Sequence, residues 1–417
     1  MYSKKDIIRV GVIGVGRGQS FMNGAIKELG MELAAICDTW EEKLNEVGSK
    51  YGAATYTDYD KFLEHDMDAV ILANYFHEHA PFAIKALQAG KHVMSETSCN
   101  ATLAEGVALC RAVEKSGKIY MLAENYPYTA FNQEMKRLYV EGEIGEVMYA
   151  EGEYNHPMSL DDSLKISPGL GHWRNNYPST YYCTHALAPL MHITGMTPVK
   201  VNAYSISFPQ YKVQKTRKGD NGSVIICRMN NGAIFRLFNG APGHSIWYRL
   251  HGSDGAMEST RGPGYWGPGQ VRVWHDEWTL KPGQVKEKVY VPIWPEHGDL
   301  AEKTGHGGGD FWTNLHFANA IRTGEQPYLD VYRGVTMSSV GILAWKSALE
   351  DGNTFEVPDF KNEAVRKKYE NDNWSSFPNF AGPGQPSASI LGDMEIPEED
   401  LEYAKKIWKE IGYEVIR

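Results

Sequence analysis

The sequence predicts an α/β protein: a doubly wound parallel sheet at the N-terminal end, then an α+β domain on a large, open, mostly antiparallel sheet. Three observations carry this. An apolar, β-branched run at Ile7–Ile13 enters Gly14-Val15-Gly16, and helical spacing follows from Phe21 to Leu29. Apolar strands then alternate with amphipathic helices as far as Ala123. From Val147 onward, strand-like runs succeed one another with short turns. At 417 residues the chain exceeds one ordinary core. The expected division is 1–125, 126–356 and a C-terminal extension, 357–417, packed on the body.

The run Arg9–Ser20 reads Arg-Val-Gly-Val-Ile-Gly-Val-Gly-Arg-Gly-Gln-Ser. Its apolar part has the profile of a strand buried on both faces of a parallel sheet. In a strand–glycine turn–helix unit, glycines let backbone N–H groups approach a pyrophosphate at the positive end of the helix. Gly14, Gly16, Arg17 and Gly18 are therefore candidate cofactor contacts, although Gln19 stands at the third fingerprint position. A second apolar run, Glu32–Cys37, ends on Asp38. An acid there accepts from an adenosine ribose hydroxyl and repels a 2′-phosphate, so the expected cofactor is NAD rather than NADP. The Gly-x-Gly taken alone is also what a plain turn between a core strand and a helix would show.

Ala69–Ala73 reads as the third strand, followed by a helix from Ala80 to Ala89 that stops at Gly90, and His92–Glu96 as the next strand. Thr102-Leu-Ala-Glu105 is a capping box opening a helix that ends at Gly117, and Ile119–Ala123 is a further strand. After a helix at Gln133–Gly142, strands are expected at Val147–Tyr154, Val199–Phe208, Ser223–Met229, Ala233–Phe238 and Trp247–His251. Asn230-Asn-Gly232 marks a hairpin turn. A loop region, Ser159–Tyr182, is inserted after the first of these strands. Helices are expected at Asp310–Arg322 and Val331–Leu349, and an amphipathic one at Glu398–Ile411.

Hydrophobic content of 42% and charged content of 23% are those of a globular protein. A net charge of −10 with no basic run argues against a nucleic-acid or anionic-membrane partner. The five cysteines (Cys37, Cys99, Cys110, Cys183, Cys227) form no Cys-x-x-Cys pair and are expected as reduced thiols. Met1–Asp6 leads into the first strand with no signal-peptide apolar stretch, and no run reaches membrane-spanning length, so a cytoplasmic location is expected.

Ala89-Gly-Lys-His-Val93 ahead of an acid, and Glu143-Ile-Gly-Glu-Val147, resemble the Gfo/Idh/MocA family of nucleotide-dependent sugar oxidoreductases over residues 7–350. Typical members carry Glu-Lys-Pro after the fourth strand, whereas Glu96-Thr97-Ser98 stands here and the lysine is missing. One branch that also lacks it, the NAD-dependent α-N-acetylgalactosaminidases, is more similar. Its motifs appear as Glu124-Asn125-Tyr-Pro-Tyr128, Trp173-Arg174, Tyr182-Cys-Thr184-His185-Ala-Leu-Ala-Pro189 and Gly305-His306-Gly-Gly-Gly-Asp310-Phe311. Cys183, Ala186 and Ala188 each depart from the branch, so reaction type carries over further than sugar specificity.

The resemblance implies a glycoside hydrolase that oxidises a sugar transiently at C3, eliminates across C1–C2, adds water and re-reduces the sugar. Such chemistry needs no pair of catalytic carboxylates. Its partner is a small carbohydrate, with a dimer or tetramer as the expected assembly by analogy alone. A sugar dehydrogenase or 3-keto-sugar reductase, and a non-catalytic sugar or nucleotide sensor, are the alternatives.

Tyr182 and His185, three apart, share a helix face. His185 is assigned to the C3-hydroxyl proton and Tyr182 to the C2 proton, a tyrosine beside a cation ionising more readily than in water. The plain alternative is a histidine satisfied by a carbonyl. Tyr128, Trp173, Arg174 and His306 are candidate substrate contacts; against this stand a packed aromatic for Tyr128 and a surface ion pair for Arg174. Glu96, Asn125 and one of His77 and His79, here His79, complete the cofactor candidates. His306 and Asp310 supply two possible ligands at most, so no metal is expected. The tryptophans 247, 266, 274, 278 and 294 are either sugar-stacking or core residues.

Overall fold

The computed structural model describes residues 6–24, 26–208, 215–240, 246–294 and 296–413. The expectation for Met1–Lys5 lies outside them. Six strands form the first sheet: β1 (Ile8–Ile13), β2 (Met31–Cys37), β3 (Ala54–Tyr56), β4 (Ala69–Leu72), β5 (His92–Ser95) and β6 (Tyr120–Leu122). All are parallel, in the order β3-β2-β1-β4-β5-β6. The chain reverses direction across the sheet between β1 and β4, and such a sheet binds ligands beyond its strand C-termini at that point. The short β3 was not expected from the sequence, so the strand read as third is the fourth.

The helix expected at Phe21–Leu29 is only Gly18–Met22. The carbonyls of Phe21 and Gly24, which a continuing helix would need, accept instead from the Asn314 amide at 3.1 Å each. Elsewhere local signals hold. Thr102 accepts from the Glu105 N–H at 3.1 Å, and the helix Leu103–Ser116 ends at Gly117.

The second sheet has nine strands: β7 (Val147–Tyr154), β8 (Pro198–Ile206), β9 (Gly222–Met229), β10 (Ile234–Asn239), β11 (Trp247–Gly252), β12 (Ala256–Ser259), β13 (Val271–Trp274), β14 (Glu287–Tyr290) and β15 (Phe355–Glu356). Their order is β14-β13-β12-β11-β7-β10-β9-β8-β15, antiparallel throughout except for β7 with β10. The helix Thr184–Thr194 lies directly on β7. Gly152 permits this, because a Cβ there would stand 2.1 Å from the Ala186 carbonyl oxygen.

One apolar cluster runs through both sheets. The helix Val331–Leu349 spans it, meeting Cys99 and Leu122 at Gly334 and the Thr180–Tyr181 backbone at Gly341. From residue 357 the chain returns across the body. Trp345 Nε1 donates to the Ser387 carbonyl, and Phe377 is buried beside Phe76 and Tyr181. The closing helix, Glu398–Glu410, makes a separate small apolar cluster with Leu164. No helix among the described residues is long and apolar enough to cross a membrane. All five cysteines are buried and free.

Candidate active site

Two buried carboxylates organise the space beyond the first sheet. Glu124 follows β6 and is fully buried, and its Oε1 lies 2.5 Å from His185 Nδ1. A carboxylate only accepts, so Nδ1 carries the proton and the Nε2 lone pair is left for Tyr182, whose hydroxyl is 3.2 Å away. Tyr126 and Tyr154 wall the imidazole at 4.2 and 4.5 Å between ring centres. Tyr248 donates to the His185 carbonyl at 2.7 Å, and Thr184 is linked to Thr97 by a 2.7 Å hydroxyl contact. Glu124, His185 and Tyr182 thus form one hydrogen-bonded relay. The other Glu124 oxygen, Oε2, finds no hydrogen-bond partner among the described residues.

Tyr182 corrects one expectation. Burial pushes its hydroxyl pKa up to about 12, with Arg174 offsetting only part of the rise and Glu96 and Glu124 adding to it. Its own surroundings therefore keep the tyrosine protonated, as a donor to His185.

The second carboxylate, Asp310, begins the helix Gly309–Thr323 and is fully buried. It receives Arg17 Nη2 at 2.8 Å, His306 Nδ1 at 2.9 Å and Asn125 Nδ2 at 3.0 Å. Burial alone would raise its pKa, but the Arg17 charge and the His306 contact outweigh that and hold it well below the usual carboxylate range. Arg17 Nε also meets Glu96 Oε1 at 2.5 Å, and Glu96 Oε2 accepts from the Thr97 N–H. Three expected cofactor residues, Arg17, Glu96 and Asn125, are thus tied into one network with His306, expected at the sugar.

The glycine turn fits a dinucleotide. Gly14 has φ +95°, and a Cβ there would lie 2.2 Å from the Ala73 carbonyl oxygen. A Cβ on Gly16 would project into open space within the groove. Asp38 accepts from the N–H groups of Val15 at 2.8 Å and Trp40 at 2.9 Å, fixing its carboxylate beside the turn. Gly18 does not line the groove. A side chain there would strike Val12, so this glycine seats the short helix on β1. His79 lies in the groove floor, with Nδ1 2.7 Å from the Ser98 carbonyl oxygen, and burial lowers its pKa. His77 lies outside the lining, stacked on Phe377 at 4.7 Å.

The groove is continuous with the relay. One cleft of about 1880 Å³ holds Gly14, Gly16, Arg17, Asp38, His79, Glu96, Asn125, Tyr182, His185 and His306. A pocket for one drug-sized ligand measures about 300–1,000 Å³, so this cleft has room for more than one.

Trp173 stacks on Phe76 at 4.8 Å in the cleft wall, with the Arg174 guanidinium 4.4 Å over its ring. Arg174 has no carboxylate within 4.0 Å among the described residues, so the surface ion pair weighed for it is not what the structure shows. Tyr128 is placed elsewhere, packed between His192 and His316 at 5.2 and 4.6 Å. Tyr126, two residues earlier in the same turn, is the ring that reaches His185. Trp247, Trp266, Trp274, Trp278 and Trp294 do not line the cleft, and Trp278 is largely exposed. The sequence marks Glu124 only as part of the Glu124-Asn125 motif, and Asp310 only as a helix start and one of two possible metal ligands. Tyr154 and His156 also line the cleft, without a local signal beyond the end of a strand. Among the described residues, no three His, Cys, Asp or Glu side chains are grouped to hold a metal ion.

Residues 8–124 match the oxidoreductase family with an NAD-binding Rossmann fold, and residues 194–367 match the C-terminal domain of glycosyl hydrolase 109. Glycosyl hydrolase family 109 protein 1 of Shewanella sp. (strain MR-4) is 27% identical over 398 residues, covering 87% of this chain and 86% of its own length. The family 109 protein of Solibacter usitatus (strain Ellin6076) is 27% identical over 398 residues, covering 86% and 89%. Among solved structures, levoglucosan dehydrogenase in complex with NADH and L-sorbose has a TM-score of 0.71 at 21% identity, over 85% of this chain and 100% of its own. That likeness is one of fold.

Proposed function

We propose that this chain, similar at its N-terminal end to the NAD-binding Gfo/Idh/MocA oxidoreductases and over residues 194–367 to the glycosyl hydrolase 109 C-terminal domain, hydrolyses glycosides with no net change in the redox state of the sugar. The observation that supports this most is the Glu124–His185–Tyr182 relay opening on the same cleft as the glycine turn. Ordinary glycosidases need two carboxyl groups flanking the scissile bond. Near the relay, Glu96 and Asp310 are committed to Arg17, and Glu124 to His185. The cleft is furnished for moving single protons rather than for displacement by a carboxylate.

Bound NAD supplies reversible hydride acceptance at a sugar carbon, which acidifies the neighbouring C–H and allows the glycosidic bond to break by elimination. Gly14, Gly16 and Asp38 would hold it at the strand ends, with the Arg17–Asp310–Asn125 network beneath. His185 accepts the C3-hydroxyl proton at Nε2, and the Glu124 carboxylate stabilises the imidazolium that results. Tyr182 can act on the C2 proton only by passing its own proton to His185 Nε2, because burial keeps its hydroxyl pKa near 12, and this requires that the imidazolium has first released the C3-hydroxyl proton to water in the cleft. Trp173, its ring held between Phe76 and Arg174, backs the Arg174 guanidinium, which offers a planar donor fork for the sugar ring or its leaving group.

The test is turnover of aryl glycosides in both anomeric series, with the cofactor followed by absorbance. Phenol release without accumulating NADH is the expected result. Stoichiometric NADH from a free sugar would make the protein a dehydrogenase instead, and the absence of any turnover while sugar binds would make it a sensor.

A further inference from the structure

The dinucleotide groove has an outer wall that its own sheet does not supply. Trp40 and Tyr75 lie just beyond β2 and β4, the two strands that flank β1 and its glycine turn. Tyr413, from the far end of the sequence, meets the Trp40 ring edge-on, at 6.1 Å and 86°. It is also close enough to Tyr75 to contribute, after burial, to pushing that hydroxyl pKa up to about 12. Lys409, Gly412 and Tyr413 all line the cleft, at the end that holds Asp38, Glu41 and Glu42.

This segment is held by the substrate side of the molecule. The Tyr413 N–H donates to the Trp408 carbonyl at 3.0 Å, and the fully buried Trp408 donates from Nε1 to the Leu164 carbonyl at 3.0 Å. Tyr403 donates to Asp161 at 2.7 Å, and Lys215 pairs with Asp400 at 2.7 Å. Leu164, Ala404, Ile407 and Trp408 form an apolar cluster apart from the main core. A satellite cluster of this kind can come away as a unit while the main core stays closed.

We propose that Tyr413, with Trp40 and Tyr75, closes the adenosine end of the groove, so that the C-terminal segment retains NAD between turnovers. Aromatic side chains bind a nucleobase through its flat face, which suits a wall of three rings beside the ribose acid. A reaction that returns its hydride to the same sugar gains from a cofactor that does not leave. The wall itself depends only on NAD binding, so it stands or falls separately from the hydrolase reading.

The experiment loads the full chain with labelled NAD and follows release into excess unlabelled NAD. Tyr413→Ala and Trp40→Ala are each expected to release the label about tenfold faster, the loss of one ring from a stacked base. Tyr413→Phe, which keeps the ring, should release at the parent rate. Trp408→Ala, whose side chain does not line the cleft, should speed both uptake and release by freeing the helix. In the unaltered protein, NAD should slow amide hydrogen exchange across residues 398–413. Parent-like release from folded Tyr413→Ala and Trp40→Ala, or exchange in 398–413 indifferent to NAD, would overturn the proposal. The exchange measurement decides it if a variant does not fold.

Discussion

Glu124 and His185, 61 residues apart in sequence, share a 2.5 Å contact in which a fully buried carboxylate fixes the imidazole proton on Nδ1. The pair sets the direction in which the relay can work, with Nε2 as the acceptor. Glu124→Gln keeps the shape but weakens the support for an imidazolium. It should lower kcat/KM by about 10²- to 10⁴-fold while NAD binding, read by fluorescence titration, stays at the parent value.

His185→Ala removes the acceptor itself. Turnover should fall to background with NAD still bound, since the glycine turn and Asp38 are untouched. A fully active variant would take the histidine out of the mechanism.

Tyr182→Phe separates ring from hydroxyl. The loss expected in kcat/KM is about 10- to 100-fold. Because the parent hydroxyl is held near 12, it should not titrate in the working range. The pH profiles of parent and variant should therefore run parallel from about pH 6 to about pH 9.

Asp310→Asn tests the network beneath the cleft. An amide cannot balance Arg17, but Glu96 still pairs with the partly exposed guanidinium, so the loss is that of the charge-assisted hydrogen bonds, about 1.5–3 kcal/mol, to be read from urea unfolding at neutral pH. The folded-state pKa of Asp310 is depressed, so its contribution is fully present above the unfolded value, about 3.9, and is lost as pH falls toward the folded one. The gap in stability between parent and variant should accordingly begin to narrow below about pH 4.

Gly152→Ala places a methyl group against the Ala186 carbonyl oxygen, where the ideal separation would be only 2.1 Å. The helix carrying His185 must shift. A loss of about 1–3 kcal/mol in stability is expected, with kcat falling more than the change in melting temperature alone would explain.

What the sequence disclosed was whatever is written locally. The glycine turn, Asp38 and the Thr102 cap each depend on residues within a few positions of one another, and the parallel strands announce themselves by continuous apolar character. The three residues of β3 and the short strands β12–β14 carry too little pattern to stand out. The turn Tyr126–Tyr128 offered two tyrosines with no local rule for which would face His185, and Tyr126 does. Asp310 meets Arg17 across 293 residues of chain, a contact that exists only once both layers are assembled. The carboxylates were legible as residues, whereas their partners were not.

The helix Val331–Leu349 touches Leu122 at Gly334 and the Tyr181 backbone at Gly341. Leu122 stands two places before Glu124, and Tyr181 stands next to Tyr182. A single rod, bare of side chains at both touching points, therefore gauges the span between the acid and the phenol. Loops around the cleft can move without altering that span, because the rod fixes it from behind.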